Sequence, residues 1–274
     1  MGIKGLFSFL DLHETSIFQL QNINKIAVDI SCWLHKVKYV DNCALAIDKN
    51  HTGWKRAFIN IFKPLCTKFE VIFVFDGATP EIKRKEHDGR RVNNAAMRKL
   101  GLALLTNDLT KAKGMQTLVK LIEVETLLPQ VKQLITDTLK AGYVDAEYEA
   151  DQKLAYMSVN REVDLVLTED SDLIVYGCPL IMYKYRSGKG MLYTREKTLT
   201  QIDRFFENWG LFQRFCVLCG CDYYKHKGTA MQGAFKICRT TQNFNRWLAV
   251  QDDTAIKDLT YAVEMFTQFD IQNS

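Results

Sequence analysis

The sequence predicts an α/β fold with a central, mostly parallel sheet. Three apolar, β-prone runs each end at acidic residues: 26–28 before Asp29, 71–75 before Asp76, and 165–167 before the acidic segment 168–172. Apolar runs without polar alternation are typical of parallel strands buried on both faces. Between the runs lie stretches with helical spacing, such as Trp54, Phe58, Ile61, Phe62 and Leu65. This alternation of strand and helix favours an α/β domain flanked by helices.

The rest of the chain reads as one domain with a helical insertion. With 274 residues and 47% apolar composition, the chain can bury a large core. The stretch from about 83 to 140 is helix-prone, charged and without a strand signal, and Pro129 predicts a break before a helix over 130–141. After residue 195 the pattern is helical again, and Gly228 and Gly233 mark a turn near residues 223–227. No apolar run approaches the ~20 residues that a membrane span needs, so we expect no membrane partner.

Basic residues are concentrated in one segment of the chain. The formal net charge is only +4, yet residues 83–113 hold nine basic side chains against three acidic ones. Such a cationic stripe is typical of a phosphate-binding surface.

Eight scattered cysteines indicate reduced thiols inside a cell. Cys216 and Cys219 have zinc-knuckle spacing, but no second pair or spaced histidine follows, so zinc is disfavoured.

Acidic side chains follow the predicted strands. Asp29, Asp76, Asp170 and Asp172 lie at three strand ends, and Glu147 and Glu149 precede a helix-like stretch. Any one of them is more often a turn or helix cap. Because the carboxyl ends of parallel strands meet, we expect these acids to lie together at one edge of the sheet. Two carboxylates ~4 Å apart repel by about 4 kcal/mol at an effective dielectric of 20, so a group of them needs cations or protons to coexist. Oxygen ligands select magnesium or manganese, and the neighbouring cationic stripe then favours two-metal hydrolysis of a phosphodiester.

Six motifs resemble those of the flap endonuclease and exonuclease 1 type of structure-specific 5′ nucleases. In chain order they are MGIKGL, VDISCWLHK, VFDG, YEAD, TEDSDL and GCDY, and they cover about residues 1–240. The segment WLHK and the tyrosine of YEAD are more similar to the exonuclease branch of this family than to the flap endonuclease branch. The resemblance implies one nuclease domain over 1–274, with a nuclease region at about 1–95, a helical arch at about 83–135, a second nuclease region at about 138–240 and carboxyl-terminal helices over 241–274.

The resemblance also implies roles for individual residues. Seven acids match the positions around the family's two Mg²⁺ ions, for which Mn²⁺ can substitute: Asp29, Asp76, Glu147, Glu149, Asp170, Asp172 and Asp222. Lys83 and Arg90 match the arch residues presented to the scissile phosphate, and Arg84 and Arg91 extend that DNA-binding face. His35 matches a ring that stacks on a nucleotide, and Gly2 matches a residue close to the active site. Without the resemblance, these positions read as a solvated helix face, a packed histidine and a turn glycine.

The family's helix–two-turn–helix, which grips duplex phosphates around a monovalent cation, is altered here. Its hairpin corresponds to residues 227–230, where Ala230 replaces the second glycine. The added methyl group hinders close backbone approach, which argues against the K⁺ site. Lys225, Lys227, Gly228 and Lys236 remain as contacts to the DNA backbone.

The implied activity is hydrolysis of DNA at or near a 5′ end, as a 5′→3′ exodeoxyribonuclease and at flaps, nicks or gaps. It implies a nuclear protein of DNA repair, replication and recombination, acting as a monomer, and no clamp-binding motif is found near residue 274. One alternative keeps the fold but makes RNA the substrate. Another is a non-catalytic nucleic-acid-binding module, against which the complete set of seven acids argues.

Overall fold

The computed structural model describes residues 2–3, 5–10, 12–37, 52–78, 127–224 and 229–267. Within these ranges one sheet contains seven strands: β1 (His13–Ser16), β2 (Lys25–Asp29), β3 (Glu70–Phe75), β4 (Gly142–Asp145), β5 (Leu165–Leu167), β6 (Leu180–Arg186) and β7 (Lys189–Thr194). Their order is β1-β7-β6-β5-β2-β3-β4. Strands β6, β5, β2, β3 and β4 pair in parallel, and β7 and β1 add antiparallel pairs at one edge. The predicted mostly parallel sheet is confirmed.

Helices lie around the sheet. Those described are α1 (Leu6–Phe9), α2 (Ile30–Val37), α3 (Gly53–Lys68), α4 (Leu128–Gln133, continued by a π-helical turn over Leu134–Leu139), α5 (Ala150–Val159), α6 (Asp172–Val175), α7 (Arg195–Phe205), α8 (Trp209–Cys219), α9 (Met231–Cys238), α10 (Thr241–Leu248) and α11 (Asp253–Thr267). None of these helices is both long and apolar enough to cross a bilayer.

Two apolar cores bury the sheet. One is formed with α3, whose Phe58 and Phe62 pack on each other and on Phe73 of β3, with the Phe62 and Phe73 ring centroids 5.0 Å apart. The other lies under α5, α8, α9 and α11. The helical spacing that starts at Trp54 therefore predicted the buried stripe of α3 correctly.

The apolar runs located the central strands but not the others. The three predicted strands are β2, β3 and β5, which are neighbours. Sequence reasoning missed the β6–β7 hairpin, although Ser187 and Gly188 between its strands both have positive φ, as a tight hairpin turn requires. The turn predicted near residues 223–227 is present in the described part of this stretch, where Cys221 and Tyr224 close a turn through two backbone hydrogen bonds. Gly233, one of its two predicted markers, lies inside α9 instead. Gly228 lies outside the described residues.

The order of the strands places a site at the end of β2. The chain runs from β2 to β3 and β4 on one side, then returns to place β5 on the other side of β2. In parallel sheets, ligands bind outside the carboxyl ends of the strands where the order reverses. Asp29 ends β2 and the loop 168–171 follows β5, so both border this crevice.

Gly77 holds the segment after β4 against the end of β3. Its N–H donates to the Tyr148 carbonyl (2.6 Å), and the next N–H, of Ala78, donates to the Glu147 carbonyl (3.0 Å). A Cβ at position 77 would lie 1.9 Å from the Ala146 carbonyl oxygen, so only glycine permits this approach. The loop with Glu147 and Glu149 is therefore fixed to β3.

We expect Gly77→Ala to lower the free energy of unfolding by about 2 kcal/mol, because the methyl group must push two backbone segments apart. Gly142→Ala is the matched control, since a Cβ there meets no atom within 4 Å. Its effect should stay within ~0.5 kcal/mol. Denaturant titration of both variants measures the difference, and equal stabilities would contradict the assigned role of Gly77.

Candidate functional site

Asp29 lies buried at the end of β2 and accepts four hydrogen bonds. Its Oδ1 accepts from the backbone N–H groups of Ser31 (3.1 Å) and Cys32 (3.4 Å), in the first turn of α2. Its Oδ2 accepts from the Thr168 hydroxyl (2.8 Å) and the Cys32 thiol (2.7 Å). The carboxylate therefore caps one helix and joins β2 to the loop after β5.

Asp76 follows β3 and connects two helices. Its Oδ2 accepts from the Ser31 hydroxyl of α2, and its Oδ1 accepts from the Ala150 N–H that opens α5 (2.9 Å). Asp76 itself is exposed. Through Ser31, the carboxylates of Asp29 and Asp76 belong to one hydrogen-bond network.

Asp170 and Asp172 extend this network beyond β5. The Asp170 N–H donates to the Thr168 hydroxyl oxygen (3.0 Å), and Asp170 Oδ1 accepts from the Asp172 N–H (3.0 Å). Both aspartates are buried. Since Thr168 also donates to Asp29, hydrogen bonds connect the acids from β2, β3 and β5 at one edge of the sheet.

Glu147 and Glu149 precede α5, which begins at Ala150. Glu147 is exposed in a bend, and Glu149 is extended with its Oε2 accepting from the Tyr223 hydroxyl (2.5 Å). Neither residue is in mid-helix, so the expectation that they lie at the helix start holds. Asp222, half-buried in the turn after α8, is the chain neighbour of Tyr223.

The amino-terminal segment packs against the same edge. Gly2 has φ of +84°, and a Cβ there would lie 2.5 Å from Asp170 Oδ1 and 2.4 Å from Ser171 Oγ. The N–H of Ile3 donates to Ser171 Oγ (2.8 Å). Gly2 is therefore close to the acids, where a side chain would fill the space beside Asp170.

Asp29 and Asp76 carry negative charge at this edge without a described cation beside them. Burial, and then the nearby charge of Asp76, raise the pKa of Asp29 from 3.8 to about 6, although hydrogen bonds from Cys32 and Thr168 oppose the rise. Neither Asp29 nor Asp76 forms an ion pair with a described side chain. Lys36 is nearby in α2, but it pairs with Glu169. Carboxylate oxygens are the ligands that hard divalent cations prefer, so the chemistry of this donor set fits Mg²⁺ or Mn²⁺.

The acids are connected but do not form a closed cage. Across the described ranges, no three His, Cys, Asp or Glu side chains are close enough to hold a metal ion as they stand. The residues that could hold one are the networked Asp29, Asp76, Asp170 and Asp172, together with Glu149 beside Tyr223.

Two family models match the chain in succession. The XPG N-terminal domain matches residues 1–97, and the XPG I-region matches residues 140–222. The two ranges together cover well over half of the chain. The chain belongs to the XPG family. The expected kinship with flap endonucleases and exonuclease 1 is confirmed.

Relatives and solved structures agree with this XPG assignment. The chain is 30% identical to exonuclease 1 of Danio rerio over 258 residues, which is 89% of this chain and 31% of that protein. It spans about a third of the length of the exonuclease 1 relatives it matches. The flap endonuclease-1 structure from Methanococcus jannaschii matches with a TM-score of 0.61 at 16% identity, covering 97% of this chain and 84% of that one. The catalytic core of Rad2 in complex with DNA substrate matches with a TM-score of 0.60 at 18% identity, covering 96% and 80%.

Several of the predicted site residues of this XPG chain lie outside the described residues. They are Lys83, Arg84, Arg90, Arg91, Lys225, Lys227 and Gly228. His35 is in α2, but its side chain is likewise outside the description. Lys236 is exposed on α9, and its carbonyl accepts from the Asn243 side chain (3.2 Å).

Sequence reasoning missed the partners of the acids. Ser31, Cys32, Thr168 and Tyr223 all contact site carboxylates. All four belong to the motifs VDISCWLHK, TEDSDL and GCDY, so membership of a motif was the available signal. Only the structure shows which acid each of them touches.

The raised pKa of Asp29 predicts a stability change with pH in the absence of divalent cations. A folded-state pKa above the unfolded one stabilises the fold at low pH, and this contribution is lost as the pH rises through about 6. From pH 5 to pH 7.5 the wild type should therefore lose about 1.4 kcal/mol more unfolding free energy than Asp29→Asn, which cannot titrate there. Denaturant titrations at the two pH values measure this, and parallel losses in both proteins would refute the prediction.

Proposed function

We propose that the chain is a structure-specific 5′ nuclease that hydrolyses DNA phosphodiesters by a two-metal mechanism. One observation is central: in a chain of the XPG family, Asp29 ends β2, Asp76 follows β3 and Asp170 lies in the loop after β5, and the three share one hydrogen-bond network at the point where the strand order reverses. The exonuclease and flap endonuclease relatives support the reaction class.

The residues of the chain hold and orient the reacting groups. Asp29 is fixed by four donors, so its charge stays in place without reorganisation. Asp76 is exposed and faces solvent beside it. When bound, the divalent cations supply an activated water and stabilise the leaving oxygen. The seven acids named above would hold them, with Mg²⁺ as the physiological ion and Mn²⁺ as a substitute.

Cations of the chain would bind the substrate. In the proposal, Lys83 and Arg90 stabilise charge on the scissile phosphate, while Arg84, Arg91, Lys225, Lys227 and Lys236 contact the DNA backbone. His35 stacks on a nucleotide near the 5′ end. The substrates are DNA with 5′ ends, flaps, nicks or gaps, and the monomeric protein acts in the nucleus in repair, replication or recombination.

We expect cleavage of a 5′-recessed or flapped duplex to require Mg²⁺ or Mn²⁺, and to stop when a chelator is added. Asp172→Asn should slow cleavage on the order of 10³-fold while duplex binding is largely preserved, because it removes a ligand charge and no phosphate contact. Asp137→Asn, an exposed acid of the helix before β4, is the control and should cut at the wild-type rate. Single-turnover rates and binding isotherms measure both. Cleavage without metal, or undiminished cleavage by Asp172→Asn, would overturn the mechanism.

We expect the products from end-labelled substrates to show where cutting begins. Release of mononucleotides from a recessed 5′ end indicates stepwise exonuclease action, and release of an intact flap indicates endonuclease action. Both should occur, with DNA cut faster than a matched RNA flap. Faster cutting of the RNA would make the chain an RNA-directed nuclease of the same fold, and no cutting of either would favour a binding module.

A further inference from the structure

Tyr223 contacts a site acid from within the core. Its hydroxyl donates to Glu149 Oε2 (2.5 Å) across 74 positions of sequence. The tyrosine is 8% exposed and belongs to the tight turn after α8, which two backbone hydrogen bonds between Cys221 and Tyr224 close. The turn therefore fixes the ring that reaches Glu149, and it also contains Asp222.

A second tyrosine sets the direction of the hydrogen bonds. The Tyr176 and Tyr223 hydroxyl oxygens are 3.3 Å apart. A tyrosine has one hydroxyl proton, and a carboxylate can only accept. Since Tyr223 donates to Glu149, Tyr176 must be the donor to Tyr223. The chain of donors thus runs from Tyr176 through Tyr223 to Glu149.

The last described helix supports both rings. Phe266 of α11 is fully buried, and its ring centroid is 4.8 Å from that of Tyr176 and 5.5 Å from that of Tyr223. These contacts restrict the two rings and so the position of the donated proton. Packing alone does not require the hydroxyl groups, because phenylalanine would fill the same volume.

Glu149 does not serve as the cap of α5. The helix begins at Ala150, whose N–H donates to Asp76, and the Glu149 side chain makes no capping hydrogen bond. The Tyr223 hydroxyl is a partner that fixes this side chain from outside the helix. A hydrogen bond to an ionised acceptor is about twice as strong as a neutral one.

We propose that Tyr223 is a positioning residue that holds Glu149 by Oε2 in the orientation in which this carboxylate would bind a divalent cation. The inference rests on the proposed function, since it assigns Glu149 to the metal site. Tyr176 and Phe266 hold Tyr223 in turn. Helix α11 thus packs, through Phe266, on the two tyrosine rings that position Glu149 at the proposed metal site.

The test is Mn²⁺ binding, measured by electron paramagnetic resonance in the full chain. Tyr223→Phe keeps the ring and its packing on Phe266 but removes the donor, so Mn²⁺ affinity should fall about 10-fold or more, as is usual for loss of a partner to a metal ligand. Tyr176→Phe should weaken binding less, because it removes only the donor to Tyr223. Tyr193→Phe is the control, because Tyr193 is also buried and its hydroxyl makes no hydrogen bond to the site acids.

A double-mutant cycle separates positioning from general destabilisation. In a Glu149→Gln background, Tyr223→Phe should cause no further loss of Mn²⁺ affinity, because its effect passes through the carboxylate. Cleavage by Tyr223→Phe should recover toward the wild-type rate at saturating metal. If Tyr223→Phe binds Mn²⁺ as Tyr193→Phe does, or if its effect persists in the Glu149→Gln background, the inference is wrong while the proposed function stands. If the wild type binds no Mn²⁺, the proposed function itself fails.

Discussion

The buried negative charge of Asp29 is the constraint on which this edge of the sheet depends. Burial removes water from the carboxylate, and Asp76 adds repulsion, so the ionised form is costly unless protein donors replace the lost hydration. Ser31, Cys32 and Thr168 provide those donors. Each donor also fixes a neighbouring element, so the same charge aligns α2 with the loop after β5. A divalent cation bound there, as proposed above, would lower the remaining cost of the ionised form.

The structural role of these acids is compatible with their proposed metal role. An aspartate after a strand is most often a helix cap, and Asp29, Asp76 and Asp170 do accept N–H groups at the starts of α2, α5 and α6. Their capping role therefore does not argue against a metal role. It brings the positive ends of the α2 and α5 helix dipoles to the acidic edge, where they offset part of the repulsion. Asparagine is consequently a more informative replacement than alanine at these positions, because its side-chain oxygen can still cap the helix.

Sequence patterns predicted those parts of the fold that depend only on residues close together in the chain. The apolar runs of β2, β3 and β5 and the acids at their ends required no knowledge of distant contacts. Strand β4 was missed because Gly142–Asp145 is a short edge strand that pairs with β3 alone and is largely exposed. Tyr223 contacts Glu149 although the two residues are far apart in the chain, and no periodic sequence pattern predicts this contact. The arch residues Lys83 and Arg90 rest on the resemblance, since they lie outside the described residues.

The position of β2 has a consequence for the integrity of the polypeptide. This strand pairs with β3 from the region before residue 78 and with β5 from the region after residue 127, so ladder hydrogen bonds join the two portions directly. A chain cleaved by a protease between residues 79 and 126 would still have its two portions joined by these ladder hydrogen bonds, and two separately expressed fragments would have to complete the β2–β5 ladder before the carboxylates could assemble.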